Sequence, residues 1–159
     1  MKRKRTAYQK AKDAAWKAFS QYIRIRDAML STGTVEVSTC YTCGKTFSVK
    51  DLQAGHFIAG RTNGILFDER GVHAQCRDCN LYGGGKPVEY RDHMLDDYGQ
   101  DVIDDLYYQA KQPLKFSVDV LQGLTTEYKR RTEIIERNED VPREWARPFL
   151  DVLKRVVGL

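Results

Sequence analysis

The sequence predicts an α+β fold in which a small strand-containing core lies between helical segments. Apolar residues recur at three and four residues over positions 6–30 and again after position 87, which indicates helices on both sides of the core. Two short strand-like runs lie between two closely spaced cysteine pairs. At 159 residues the chain is long enough to bury one core. We expect three regions: a basic N-terminal helix at 1–34, a cysteine-braced core at 35–86 and a C-terminal helical bundle that packs on the core at 87–159.

The first element is a long amphipathic helix over residues 6–30. Trp16, Phe19 and Leu30 lie on its apolar stripe, and the polar run STGT at 31–34 ends it. The simplest role for this stripe is packing against the core.

Positive charge is concentrated in the same segment. Residues 1–30 contain nine Lys or Arg and two Asp, a local net charge of +7 in a chain whose total is +4. Segregated positive charge is typical of a surface that meets phosphate, although a solvated helix face gives the same pattern. The candidate phosphate contacts are Arg3, Lys4, Arg5, Lys12 and Arg24, with Lys86 and Arg130 from later segments.

The core region contains the strands. VEVSTC at 35–40 is a short β-like run into the first cysteine pair. The segment from LQAGHFI to GVHAQC predicts the two strands of a hairpin, joined by the long polar connection AGRTNGILFDER. GGG at 83–85 breaks the turn after the second cysteine pair. With Lys86, its backbone N–H groups could approach a phosphate, although a flexible break between helices is the favoured interpretation.

Helices follow the core. Pro87 suits the first turn of a helix that Gly99 stops, a second helix contains Leu106, and a third runs through the apolar series from 118 to 135. Residues 145–158 predict a final helix.

Four cysteines predict a structural Zn²⁺ ion. Cys40 and Cys43 form one C-x2-C pair and Cys76 and Cys79 form the other, with thirty-two residues between the pairs. Thiolates at this spacing surround a tetrahedral zinc ion, and a site of four thiolates has no open position for chemistry. Because the chain has no apolar run of eighteen residues and begins with charged residues, we expect a cytoplasmic protein without a membrane span, in which cysteines stay reduced.

Two histidines and an asparagine lie next to this framework. Alternation puts His56 on one face of the first hairpin strand and His73 on one face of the second, so that the two side chains could share a cleft. Asn80 directly follows the last cysteine, and its carboxamide oxygen is a hard ligand that suits Mg²⁺ better than the zinc site does. A helix-cap role for Asn80 and structural roles for both histidines stay open.

These motifs resemble a known family. The segments FSQYIRIRDA, CYTCG, AGHFIAGR, VHAQCRDCN and YGGGKPVEYRDHMLDDYG are similar to the NinG/Rap family of phage recombination proteins, over about residues 17–110. The zinc knuckle, the hairpin histidine and the Asn after the last cysteine also resemble the ββα-metal, or His-Me finger, nucleases of HNH type, as in phage endonuclease VII. The resemblance implies a zinc-bound, treble-clef-like ββα-metal core and an endonuclease that cuts branched DNA, such as Holliday junctions and displacement loops.

The resemblance also implies a role for each site residue. His56 takes the place of the general base, Asn80 that of a ligand of a catalytic Mg²⁺ or Mn²⁺ ion, and the four cysteines hold the zinc. Arg61, a short distance beyond His56, could add a guanidinium to the same phosphate oxygens, although an arginine in a polar loop is usually only a solvated phosphate contact. Branched double-stranded DNA is the expected partner, bound with salt-sensitive affinity by the basic residues named above. Symmetric cutting of a junction would favour a homodimer.

The sequence departs from the HNH pattern at two positions. HNH enzymes commonly have Asp or His before the base to bind the metal, and Gly55 cannot supply that ligand. Either Asn80 binds the ion with water in the other positions, as in His-Me nucleases that also carry Gly before the base, or another residue contributes. His73 is the first candidate for that residue, with Asp68 and Glu69 as further candidates. Gly71 stands where the pattern has its central Asn, which often orients the base through a backbone carbonyl that glycine retains.

Other interpretations remain open. A non-catalytic zinc module that binds nucleic acid, or a protein-interaction adaptor, would keep the cysteines without needing His56 and Asn80 together. A nonspecific or restriction-type HNH nuclease would have the same site and would cut linear DNA as readily as branched DNA.

Overall fold

The computed structural model describes residues 4–137. In chain order these residues form one long helix, two short hairpins and three further helices, so the mixed α+β class is confirmed. The candidate contact Arg3 and the helix expected at 145–158 lie outside the described residues. Within the described part of the chain, no helix combines the length and the apolar character needed to cross a membrane.

Helix α1 spans Ala7–Thr32, close to the range that the apolar spacing predicts. A capping box begins it: the Thr6 hydroxyl accepts from the Gln9 backbone N–H, and the Gln9 side chain accepts from the Thr6 N–H. Gly33 ends it in the left-handed conformation, with φ 71°, and its N–H bonds the Met29 carbonyl. Local capping therefore sets both ends of α1.

Two antiparallel hairpins follow α1. Strand β1 (Val37–Thr39) pairs with β2 (Thr46–Ser48), and β3 (Leu52–His56) pairs with β4 (Val72–Cys76). The β3–β4 hairpin is the one predicted from the sequence. Strand β2 escaped prediction because three residues are too few to show alternation.

The rest of the described chain is helical: α2 is Pro87–Tyr98, α3 is Gln100–Ala110 and α4 is Val118–Glu136. Gly99 ends α2, as predicted. Between β4 and α2 the chain makes a π-helical turn at Asp78–Tyr82, a rare conformation that is often found at functional sites.

The main core lies where α1 meets α4 and the connection between β3 and β4. Phe19 of α1 is fully buried, with its ring centroid 4.9 Å from that of Tyr128 on α4 and 5.5 Å from that of Phe67 in the connection. Helices α2 and α3 contribute to a second cluster, which includes Phe57 and Tyr90. The described C-terminal helices therefore do not form the single bundle that the sequence led us to expect, because the long apolar stripe of α1 is the partner of α4.

Buried ion pairs tie the β3–β4 connection to the helices. The Glu69 carboxylate lies 3.0 Å from the Arg131 guanidinium of α4 and accepts from the Tyr22 hydroxyl of α1 at 3.1 Å. Asp68 accepts two hydrogen bonds from the side chain of Arg70. Both carboxylates are engaged in ion pairs, and this geometry does not favour either of them as the metal ligand that Gly55 cannot supply.

Candidate active site

The four cysteine thiols converge at the junction of the two hairpins. Their Sγ atoms all lie within 4.8 Å of one another, and the Cys43 and Cys76 sulfurs are 3.9 Å apart. A tetrahedral zinc ion with Zn–S bonds of about 2.3 Å needs sulfurs roughly 3.8 Å apart. The cluster can therefore hold the structural zinc ion that the sequence predicts.

The backbone around the cluster supports the thiols. Cys76 donates its N–H to the Cys40 Sγ at 3.2 Å, and Gly44 turns the chain after the first pair with φ 70°. The buried Thr42 hydroxyl lies 3.5 Å from the Cys40 Sγ and also accepts from the side-chain amide of Gln75. The first cysteine turn thus contacts the side chain of Gln75 on β4.

His56 ends strand β3 and is partly exposed. Its Nε2 lies 3.2 Å from the Leu66 carbonyl oxygen. Because a carbonyl can only accept, Nε2 carries the hydrogen and Nδ1 carries the lone pair. No residue in the described range 4–137 bonds Nδ1, so this nitrogen can accept a proton from an outside molecule.

A stacked cluster surrounds the His56 ring. The His56 ring stacks on Trp16 of α1, with ring centroids 5.2 Å apart and an interplanar angle of 19°. The Arg61 guanidinium makes a cation–π contact with Trp16, 4.0 Å from the ring centroid. Burial lowers the pKa of His56 from 6.5 to about 4; the Leu66 carbonyl opposes this shift and the Arg61 charge adds to it. His56 is therefore neutral at physiological pH, as a general base must be.

Trp16 and Leu66 are functional candidates that the sequence did not single out. Trp16 fits the apolar stripe of α1, and nothing in its spacing indicates a ring partner forty residues away. The carbonyl that orients His56 belongs to Leu66, whereas the Gly71 carbonyl, which the family pattern favours, accepts from the Phe57 N–H. Backbone groups give no sequence signal of this kind.

Asn80 lies on the π-helical turn and is oriented by strand β3. Its side-chain Nδ2 donates to the Gln53 Oε1 at 2.8 Å, which turns the Asn80 Oδ1 away from Gln53. A Cβ built on Gly55 would lie 3.0 Å from the Asn80 Oδ1 and would overlap the Gln75 Oε1. Two carboxamide oxygens therefore converge over the bare Cα of Gly55.

The Gln75 Oε1 is buried and lacks a hydrogen-bond partner within residues 4–137. Among the described residues, it is the one buried side-chain N or O atom without a hydrogen-bond partner, and the whole residue is inaccessible to solvent. Neutral carboxamide oxygens are hard ligands of the kind that Mg²⁺ and Mn²⁺ prefer. The residues present at this point therefore fit the divalent ion that the family resemblance implies.

His73 lies elsewhere. The register pairs His56 with Val72 and Gly55 with His73, so the two histidines project from opposite faces of the hairpin and do not share a cleft, contrary to the sequence-based expectation. The His73 ring stacks on Tyr41 with centroids 3.9 Å apart. Alternation within each strand predicts its two faces, but the faces of different strands coincide only once the register is known.

Both ring nitrogens of His73 already have protein partners. Nδ1 lies 3.2 Å from the Asp27 Oδ2 and Nε2 lies 3.1 Å from the Tyr98 hydroxyl. This side of the hairpin has a 610 Å³ cavity lined in part by Arg26 and Tyr98. The role of His73 as a metal ligand stays a prediction, and this geometry does not favour it.

The candidate phosphate contacts differ in their surroundings. Arg24 donates to the Ser20 and Val49 carbonyls, so it is a structural residue first. The other described candidates have the following partners: Arg5 pairs with Asp13, Lys12 donates to Asn63, Lys86 lies 4.0 Å from Glu89, Arg130 bonds Glu127, and Lys4 is exposed.

The backbone N–H groups of the glycine run already have partners. Those of residues 83–86 all bond carbonyls of residues 78–83 within the same turn. This geometry does not favour a contact between these amides and a phosphate, which stays a prediction. Gly85 instead uses its carbonyl to accept from the Gln75 side chain at 3.0 Å.

Comparison with known proteins identifies relatives of phage origin. A family model described as Bacteriophage Lambda NinG protein matches residues 1–139. Protein ninG of Escherichia phage 933W is 27% identical over 118 residues, which cover 74% of this chain and 54% of that protein. Protein ninG of Escherichia phage lambda is 26% identical over 118 residues, with 74% and 53% covered. Protein ninG of Enterobacteria phage H19B is 31% identical over 93 residues, with 58% and 42% covered.

The chain spans about half the length of the curated relatives that it matches. No solved structure is significantly similar to it.

Proposed function

The chain belongs to the NinG family of bacteriophage proteins, and from this premise we propose that it is a metal-dependent endonuclease that cuts branched DNA in the cytoplasm of the infected host. In this proposal His56 is the general base and Asn80 is a ligand of the catalytic ion. The substrates are recombination intermediates such as Holliday junctions and displacement loops.

The observation that carries the proposal is the state of His56. The Leu66 carbonyl holds Nε2–H, Trp16 holds the ring plane, and Nδ1 remains as an acceptor at a partly exposed strand end. The low pKa of about 4 keeps that acceptor unprotonated. An imidazole needed only for packing would not require a fixed tautomer with a vacant nitrogen. Such a group can take the proton of a water molecule as that water attacks phosphorus.

The second support is the position of Asn80. The β3–β4 hairpin positions both Asn80 and His56. His56 ends β3, and Asn80 lies on the turn after β4. Asn80 would hold a divalent ion that, when bound, supplies positive charge for the phosphate oxygens. Consecutive strand residues alternate in direction, so the His56 ring and the space over Gly55 lie on opposite faces at the end of β3. In this proposal the scissile phosphate therefore lies across this strand end, between the two faces.

The arrangement also supports a ββα-metal assignment of the core. The family resemblance implies a hairpin, a turn that carries the ligand Asn, and a four-thiol cluster that holds both. This chain has all three. The thiol cluster keeps the hairpin and the turn in place without entering the chemistry, because four thiolates leave no open position on zinc.

Cationic side chains beside His56 fit a DNA backbone. A 380 Å³ cavity is lined by Lys12, Asp13, Trp16, Arg61 and Leu66, two of which contact His56. Arg61 has φ 48°, which a non-glycine residue seldom adopts, and its guanidinium is held over Trp16. We propose that Arg61 meets the phosphate next to the one that is cut, with the N-terminal cations contacting the flanking duplex.

Cleavage of a labelled four-way junction tests this function. The junction and a matched linear duplex are incubated with Mg²⁺, with Mn²⁺ and with EDTA, using zinc-loaded wild type, His56→Ala and Asn80→Ala. His93→Ala is the matched control, because His93 is an exposed histidine on α2. We expect metal-dependent cutting of the junction by the wild type and the control, with a loss of at least about a hundredfold for His56→Ala.

Other outcomes would separate the alternatives. Equal cutting of the linear duplex would indicate a nonspecific nuclease of the same chemistry. Junction binding without cutting under any metal condition would contradict the enzyme proposal and favour a non-catalytic zinc module. Symmetric paired cuts would support a homodimer on the junction.

A further inference from the structure

We propose that Gln75 is a second protein ligand of the divalent ion that Asn80 binds, and that it occupies the place left open by the missing side chain of Gly55. This inference rests on the proposed function and deepens it. It concerns the first departure from the HNH pattern, in which the residue before the base cannot bind metal.

The orientation of the Gln75 carboxamide is fixed by its donors. Its Nε2 bonds the Thr42 hydroxyl at 3.1 Å and the Gly85 carbonyl at 3.0 Å. The Gly85 carbonyl can only accept, so the nitrogen must face it and the oxygen must face Gly55. The amide cannot turn over without placing two acceptor oxygens together. Oε1 is therefore the end that points toward Asn80.

Burial makes this oxygen costly without a partner. Gln75 is fully buried, and its Oε1 has no donor within the described residues. A buried polar atom without a partner is unfavourable, and native proteins contain few of them. The Gln75 amide nitrogen is hydrogen-bonded, whereas its Oε1 has no partner in the range 4–137, which is the arrangement expected of a metal ligand in the absence of its cation.

Gly55 is required for space, not for backbone conformation. Its φ is not among the positive values of the described glycines, so the backbone would accept other residues. A Cβ at this position would instead overlap the Gln75 Oε1 and press on the Asn80 Oδ1. The Tyr90 hydroxyl also bonds the Gly55 carbonyl at 2.8 Å and fixes this strand position. Glycine at the position before the base thus leaves the space that the Gln75 side chain of β4 occupies.

Gln53 completes the arrangement by orienting Asn80. Its Oε1 accepts from the Asn80 Nδ2, which leaves the Asn80 Oδ1 facing the Gly55 position. One competing arrangement exists: with both Asn80 and Gln53 amides turned over, Asn80 would donate to the Gln75 Oε1 and satisfy it. That arrangement has no vacant oxygen pair and predicts no affinity for a cation at this point.

The test uses metal binding without DNA. Zinc-loaded wild type, labelled with ¹³C and ¹⁵N, is titrated with Mg²⁺, and the side-chain carboxamide carbons of Gln75 and Asn80 are followed by NMR. We expect both carbons to shift together with one saturation curve. In the competing arrangement neither carbon shifts. Because this measurement uses the wild type, it does not depend on whether a variant folds.

Affinity measurements on variants give a second readout. Mn²⁺ binding is measured by calorimetry for Asn80→Ala, Gln75→Leu and Gly55→Ala, with Gln122→Leu as the matched control on an exposed position of α4. We expect Asn80→Ala and Gln75→Leu each to weaken binding about tenfold or more, and the control to bind like the wild type. Gly55→Ala should weaken binding too, because its methyl group displaces the Gln75 oxygen. Zinc content and circular dichroism report whether each variant is folded.

The outcomes distinguish this inference from the proposed function. No Mg²⁺-dependent shift of the Gln75 carbon in the wild type, or unchanged Mn²⁺ affinity in folded Gln75→Leu, overturns the inference. If the wild type still cuts junctions through His56 and Asn80 in that case, the nuclease proposal stands with a different ligand set. If both carbons shift and no DNA is cut, the ligand assignment stands and the nuclease proposal fails.

Discussion

Acidification tests the buried state of His56 directly. In the folded protein burial lowers the pKa of His56 to about 4, whereas the unfolded chain takes up the same proton near 6.5. Between these two values the unfolded chain binds more protons, so the free energy of unfolding falls as the pH falls. Stability from this group is fully present above pH 6.5 and is lost as the pH drops toward 4. At 1.36 kcal/mol for each pKa unit, the loss amounts to about 3 kcal/mol.

The perturbation that isolates this contribution is His56→Phe. Phenylalanine keeps an aromatic ring against Trp16 and has no proton to gain. The free energy of unfolding is measured by urea titration with circular dichroism, for both proteins, between pH 7 and pH 4. We expect the wild type to lose about 3 kcal/mol more than the variant over this interval. Other groups that titrate over this interval are present in both proteins and cancel in the difference.

His93→Phe is the matched control, since it makes the same replacement at an exposed histidine of α2. An NMR titration of the wild-type imidazoles gives the pKa of His56 independently. Equal acid slopes for wild type and His56→Phe, or a His56 titration near pH 6.5, would contradict the low pKa of His56. In that case the ring would be solvated and would carry a proton in part of the molecules near neutral pH.

Two further predictions concern the frame that holds the site. Arg131→Met should lower the free energy of unfolding by about 3 to 5 kcal/mol, because it leaves the Glu69 carboxylate buried without its ion-pair partner. Urea unfolding measures this loss. A loss no larger than that of Arg130→Met, a change at an exposed position, would contradict the prediction. Removing the metal with a strong chelator should disorder both hairpins, because the thiol cluster joins them and structural zinc supplies folding free energy. Unchanged NMR spectra after complete loss of zinc would show that the two hairpins are stable without the metal.

The sequence predicted those parts of the fold that depend on local spacing. The apolar period of 3.6 identified α1 and α4, Gly99 marked the end of α2, and alternation identified β3 and β4. The C-x2-C pairs predicted a thiol cluster, because a short spacing brings two sulfurs to one turn whatever surrounds them. Each of these features is decided by residues within a few positions of one another.

Partners distant in the sequence could not be predicted in this way. The sequence placed His73 beside His56, and the register instead put the two on opposite faces. The pairing of α4 with α1 was also missed, because an apolar stripe shows that a helix is buried and does not name its partner.

For the candidate site, residue type alone identified the chemistry that we propose: His56 as a base, Asn80 as an oxygen ligand and four thiols for zinc. How these residues can act depends on their neighbours in the fold. The tautomer of His56 depends on the Leu66 carbonyl, and the ligand missing at Gly55 has a candidate in Gln75 because β4 and the first cysteine turn place its amide there. Chemical type is a property of one residue, whereas orientation, burial and an unpaired oxygen are properties of neighbours that only folding brings together.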